Sequence, residues 1–142
     1  MYKSILVPID ILEKVLTAKV IPHIEYLAKQ SNAKVHFFHV LPVASAIVNA
    51  YSFGFEEFED QATKKTEQWL AEIIASVNIP KEQLSYSVAF GSPRDEIINI
   101  AQELDVDLIV IGSRRPNIST HLLGSNAASV VRYAKMSVLV VR

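Results

Sequence analysis

The chain is expected to fold as an open, doubly wound α/β sandwich: a five-stranded parallel sheet with helices on both faces. Two observations lead there. Short runs rich in Val, Ile, Leu and Phe recur at Ile5 to Ile9, Val35 to Leu41, Leu84 to Phe90, Leu108 to Ile111 and Val138 to Val141. The first, fourth and fifth lack alternation of apolar and polar residues, as strands buried on both faces do. Segments of helical period lie between these runs, and strand alternating with helix is the pattern of right-handed crossovers around a parallel sheet.

Each helix has its own signature. Ahead of the second strand, Val20, Ile24, Leu27 and Ala28 form an apolar stripe interrupted by Pro22, so this helix either starts late or kinks there. The stretch from Pro42 to Phe53 shows no clear period and exceeds the usual strand-to-helix loop. It is read as a functional loop or lid, or as a surface insertion. From Phe55, apolar positions at Phe58, Ala62, Trp69, Ile73 and Val77 build one stripe on a long helix. Ser92-Pro93-Arg94-Asp95 announces the next, with a serine cap, a proline at the first helical position and an acid three residues after the serine. Its buried face is expected to be Ile97, Ile100, Ala101 and Leu104. Ala127, Val130, Val131 and Ala134 make the last helix, directly after Gly124-Ser125.

At 142 residues the chain fits one domain, residues 1–142. Half of it is hydrophobic and 20% charged, which excludes a disordered or fibrous chain. Lys plus Arg number 14 against 15 Asp plus Glu, for a net charge of -1, so neither nucleic acid nor membrane is expected as a partner, and any anion site is local. The absence of cysteine removes disulfides, Cys-ligated zinc and thiol chemistry, and fits a cytoplasmic location. The apolar stretch near Met1 is too short for a signal peptide, and no run approaches the ~20 apolar residues of a membrane span.

Ligands of open parallel sheets bind beyond the carboxyl ends of the strands, where strand order reverses. If the first and fourth strands are neighbours, that crevice lies between Val7-Pro8-Ile9-Asp10 and Ile111-Gly112-Ser113-Arg114-Arg115. Gly112 lets the backbone turn sharply or admits a ligand closely, with the Ser113 hydroxyl beside it. Gly124-Ser125-Asn126 opens a helix, whose free amides and dipole favour an anion. Gly112 also reads as a simple strand end, and Ser125 as a simple helix cap. No acid follows Asp107, whereas Arg114, Arg115, Arg132, Lys135 and Arg142 do, so the segment holding both bends is cationic. Arg114 and Arg115 are candidate phosphate donors or solvated surface arginines. Asp10 reads as an acceptor for ribose or ring substituents, or as an N-cap. Pro8, Ile9 and Val40 offer an apolar slot for a flat ring, or ordinary core.

These residues resemble the universal stress proteins over essentially the whole chain. The resemblance is carried by Val7-Pro8-Ile9-Asp10, His39-Val40, Gly112-Ser113, Gly124-Ser125, Val130-Val131-Arg132 and Ser137-Val138-Leu139-Val140-Val141. It implies an adenine nucleotide alpha hydrolase-like fold and ATP as ligand, with any Mg²⁺ entering through the phosphates. Pro8, Ile9, Asp10 and Val40 would surround adenine and ribose, while Gly112, Ser113, Gly124, Ser125 and Asn126 hold ribose and phosphates. It also implies a homodimer through the last strand, Ser137 to Arg142, whose edge needs covering. The family's ATP-binding pattern is Gly, two residues, Gly, nine residues, Gly, then Ser or Thr. Here Arg115 stands at the second glycine and the stretch is one residue shorter, so guanidinium contact is expected to replace close backbone contact.

Other chemistries find no support. His36 and His39, three apart on a strand, face opposite sides of the sheet. His23 and His121 are isolated, although His121 lies near the phosphate loop. The nucleophile elbow, Walker lysine and dinucleotide glycine fingerprint are absent. Asp105 and Asp107 are placed at the amino end of the fourth strand, away from the crevice. The leading expectation is an ATP-binding regulatory or stress-response protein with slow or no turnover. The alternatives are an ATPase or self-modifying kinase using Ser113, Ser119, Thr120 or Ser125 as acceptor, and a dimerisation module with a vestigial site.

Overall fold

The structure, a computed structural model, describes residues 1–41, 55–114 and 124–142. Its strands are β1 (Ser4–Pro8), β2 (Lys34–Leu41), β3 (Leu84–Phe90), β4 (Leu108–Gly112) and β5 (Ser137–Val141). They form one sheet in the order β3-β2-β1-β4-β5, with every pairing parallel. The expected α/β architecture is therefore present, and β1 and β4 are neighbours, with Ile5 opposite Leu108 and Leu6 opposite Ile109.

The helices are α1 (Lys14–Ser31), α2 (Phe55–Ser76), α3 (Pro93–Glu103) and α4 (Ser125–Tyr133). Successive side chains of a strand point to opposite faces, and the two cores divide accordingly. Ile5, Val7, Val35, Phe37 and Val110 pack with Val20 and Ile24 of α1 and Leu70 and Ile73 of α2. Leu6, Phe38, Val40, Ile109 and Ile111 pack with Ile97 and Ala101 of α3 and Ala127 and Val130 of α4. Burial on both faces is why β1 and β4 show no polar alternation.

Several helix details differ from the sequence reading. α1 does not start late: it runs through Pro22 to Ser31 and ends on Asn32 in the left-handed conformation, φ 53°. Val20 and Ile24, fully buried on either side of Pro22, hold the helix where the proline removes one backbone hydrogen bond. On α2 the deepest positions are Thr66 and Leu70 rather than Trp69, which is half-buried. Ile73 and Val77 are buried as expected, so the stripe is wider than expected, taking in Thr66 and Leu70. Leu104, expected on the buried face of α3, is its C-cap and 40% exposed, and Val131 of the α4 stripe is 46% exposed. Ser92 stands at the N-cap of α3 ahead of Pro93, yet its hydroxyl makes no capping hydrogen bond.

Asp105 and Asp107 precede β4, at its amino end as expected. Asp105 occupies a turn at φ 50°. The Asp107 carboxylate accepts hydrogen bonds from the amides of Lys3 at 2.8 Å and Ser4 at 3.2 Å, clamping the start of β1 to that of β4. The Pro42 to Phe53 segment lies outside the described residues.

Candidate functional site

Above the carboxyl ends of β1 and β4, where the sheet order reverses, a cleft of about 240 Å³ opens. Pro8, Ile9 and Asp10 enter it from the end of β1, Val40 from β2, Gly112 and Arg114 from β4, and Gly124, Ser125 and Asn126 from the start of α4.

The two glycine-bearing bends meet there. Ser113 is buried, 4% exposed, and its Oγ accepts the amide hydrogen of Gly124 at 3.0 Å. Its own amide donates to the Val141 carbonyl at 2.7 Å. Ser113 therefore anchors one bend to the other and to β5 from behind the cleft, rather than lining it. A Cβ on Gly124 would lie 3.3 Å from the Arg114 amide nitrogen, so only glycine lets the bends approach this closely without displacing backbone. Gly124 is the N-cap of α4 and its amide is engaged by Ser113. The amides available to a ligand are those of Ser125, Asn126 and Ala127, which helix geometry leaves without intrahelical acceptors and which carry the positive end of the helix dipole.

Gly112 has a different reason from the expected one. A Cβ there would stand 2.5 Å from Cγ of Leu16 on α1. The glycine is thus fixed by close packing of a helix on the strand end, and Leu16 borders the cleft.

The apolar slot is held by two hydrogen bonds. The Ile9 amide donates to the Phe38 carbonyl at 2.8 Å, and Nδ1 of His39 bonds the Ile9 carbonyl at 2.8 Å. A carbonyl only accepts, so His39 donates through Nδ1. The His39 ring is buried edge-on to Trp69, with centroids 6.1 Å apart and planes at 79°. Asp10 supports the turn into α1: its Oδ1 accepts the Leu12 amide at 2.8 Å and its carbonyl accepts the Glu13 amide at 2.9 Å. It caps this turn, whereas the N-cap position of α1 belongs to Glu13.

The charged side chains among the described lining residues are Asp10, Glu13 and Arg114. The guanidinium Nη2 of Arg114 lies 2.6 Å from Oε1 of Glu13. Arg114 is the only arginine or lysine among the described lining residues, which also include Asp10 and Glu13. Of the described cations in the basic run, Arg114 lines the cleft, whereas Arg132 belongs to the last turn of α4 and Lys135 follows it, away from the end that meets the cleft. Arg115, Ser119, Thr120 and His121 lie outside the described residues.

Sequence reasoning missed Glu13, Leu16, Thr17, His39 and Ala127 as lining residues. The nearness in sequence of Glu13 and Leu16 to Asp10, the end of the first strand run, is the signal that α1 opens beside the crevice. His36 and His39 lie on opposite faces as expected: His39 meets Trp69, while His36 bonds Ser85 and Ser87, each at 2.7 Å. No group of three or more metal-ligating His, Asp or Glu side chains occurs among the described residues.

The family model described as the Universal stress protein family matches residues 1–142. The chain belongs to the universal stress protein family. Universal stress protein G of Escherichia coli O157:H7 is 43% identical over 143 residues, covering 100% of both chains. Among solved structures, hypothetical protein MJ0577 superposes with a TM-score of 0.79 at 26% identity, covering 99% of this chain and 96% of that one. A universal stress protein solved in complex with cAMP superposes with a TM-score of 0.61 at 26% identity, covering 99% and 97%. Other universal stress proteins share the five-stranded sheet, including one from Lactobacillus plantarum at a TM-score of 0.73.

Proposed function

We propose that the cleft binds an adenine nucleotide of the ATP class and that occupancy, rather than turnover, is the protein's output in a stress response. The observation that carries this reading is the hydrogen bond from Gly124 to Ser113, which brings the strand-end bend and the opening of α4 to one point. Three amides at the start of α4 supply an anion site without needing a lysine. Pro8, Ile9 and Val40 flank the other part of the cleft and suit a flat apolar ring. Asp10 uses Oδ1 within its own turn, leaving Oδ2 to accept a ribose hydroxyl. The relative in complex with cAMP supports the adenine class.

Low turnover is part of this proposal, and the described lining supports it. Phosphoryl transfer depends on positioned cations and a base or water-orienting group, whereas the guanidinium of Arg114, the only one among the described lining residues, is already paired with Glu13. Any Mg²⁺ would arrive on the phosphates. A homodimer through β5 completes the proposal: β5 ends the sheet, and its outer edge offers a row of backbone groups to a second copy. Titration calorimetry with ATP and Mg²⁺ tests the reading, with binding in the micromolar range expected. Absence of binding up to millimolar ATP refutes it, and rapid phosphate release refutes the low-turnover part alone.

A further inference from the structure

Glu13 occupies the N-cap position of α1, where a short polar side chain ordinarily bonds the amides of its own helix. It makes no such bond. Its carboxylate instead crosses the cleft to Arg114, 2.6 Å away, and is the more buried partner, with its side chain 29% exposed against 68% for Arg114. Asp10, also on the lining, is committed to the turn that delivers Glu13. The described side chains of the cleft thus carry one formal positive charge against two negative ones, and the positive one is already engaged.

Resting on the nucleotide reading above, we propose that Glu13 is a specificity-determining residue: it competes with the phosphate chain for Arg114 and so restrains the preference for nucleoside triphosphates over monophosphates. A guanidinium has five N–H donors in a planar fork, so a phosphate can take its free edge while Nη2 stays on Glu13. Two anions on one small planar group repel each other, and the penalty grows with the number of phosphates that reach the rim. On this reading the first phosphate rests on the amides of α4 rather than on Arg114 and is the least affected. The later phosphates have the most need of the guanidinium and meet the Glu13 carboxylate.

The test is titration of wild type, Glu13→Gln and Glu13→Gln/Arg114→Gln with ATP, AMP and adenosine at one fixed Mg²⁺ concentration. Glu13→Gln should raise ATP affinity about five-fold more than AMP affinity and leave adenosine unchanged, the scale of a part-exposed ion pair. Adding Arg114→Gln should remove the gain. If Glu13→Gln does not fold, Glu13→Asp, whose carboxylate is one methylene short of Arg114, should give a smaller gain in the same direction. An unchanged ATP-to-AMP ratio, or weaker ATP binding, in the folded variant overturns the inference while nucleotide binding stands. If wild type binds none of the three ligands, the nucleotide reading fails and the inference with it.

Discussion

Ser113 and Gly124, eleven residues apart in sequence, share a hydrogen bond in which the Gly124 amide donates to the buried Ser113 hydroxyl at 3.0 Å. Ser113→Ala removes that acceptor and leaves an amide unsatisfied at the base of the cleft, a loss of about 1–3 kcal/mol. Urea unfolding followed by circular dichroism should show this destabilisation, and ATP affinity should fall with it. Unchanged stability would mean that the bond contributes nothing to holding the bends together.

Gly124→Val is expected to abolish ATP binding. The added Cβ would press on the backbone of Arg114, 3.3 Å away at the amide nitrogen, which cannot rotate aside as a side chain can. Gly124→Ala makes the same contact without the branch and should weaken binding less. A folded Gly124→Val protein with wild-type affinity would remove this bend from the site.

At Gly112 the expected effect is on packing first. Gly112→Ala sets a methyl group 2.5 Å from Cγ of Leu16, an overpacking that costs about 1–3 kcal/mol. Adding Leu16→Ala should recover part of that loss, because the clash disappears with the side chain. Thermal unfolding of the two single variants and the double variant measures the coupling, and strict additivity would show that Leu16 is not the residue displaced.

Replacing Arg114 and Arg115 together by alanine should weaken ATP more than adenosine. Arginine acts on the phosphates and not on the ring, so calorimetry with both ligands separates the contributions. Equal losses would show that neither guanidinium reads phosphate.

His36 gives a pH signature unrelated to the cleft. Partial burial lowers its pKa from the ordinary 6.5 by desolvating the charged ring. The unfolded chain therefore binds the proton more readily, and stability falls as pH drops through about 6.5 toward the lowered folded value. Melting wild type and His36→Gln at neutral and mildly acid pH should show a smaller acid loss in the variant. An identical pH dependence would rule out His36 as a contributor.

β1 and β4 were legible because burial on both faces leaves unbroken apolar runs, and α4's opening because Gly124-Ser125 stands just ahead of a helical stripe; β5 has an equally unbroken run yet is an edge strand, mostly half-buried, so its run did not report burial on both faces. The crevice itself followed from strand order, which requires only that β1 and β4 be neighbours. What could not be read was contact between distant residues. Nothing in the sequence pairs Glu13 with Arg114, and the reason for glycine at position 112 lies in Leu16, on a helix nearly a hundred residues earlier. Periodicity likewise places Leu104 and Val131 on apolar stripes but does not show that Leu104 falls at the C-cap, where the helix has ended, or that Val131 is left exposed. Charge counted along the sequence also does not show that α4 carries Arg132 to its last turn, away from the cleft.

The edge contact between His39 and Trp69 makes the molecule its own optical probe. Trp69 is the sole tryptophan of the chain, and the imidazole against it holds the Ile9 carbonyl at the wall of the cleft. Emission from this one indole is therefore linked through a single ring to the floor where a purine would rest, so intrinsic fluorescence can follow occupancy without a label.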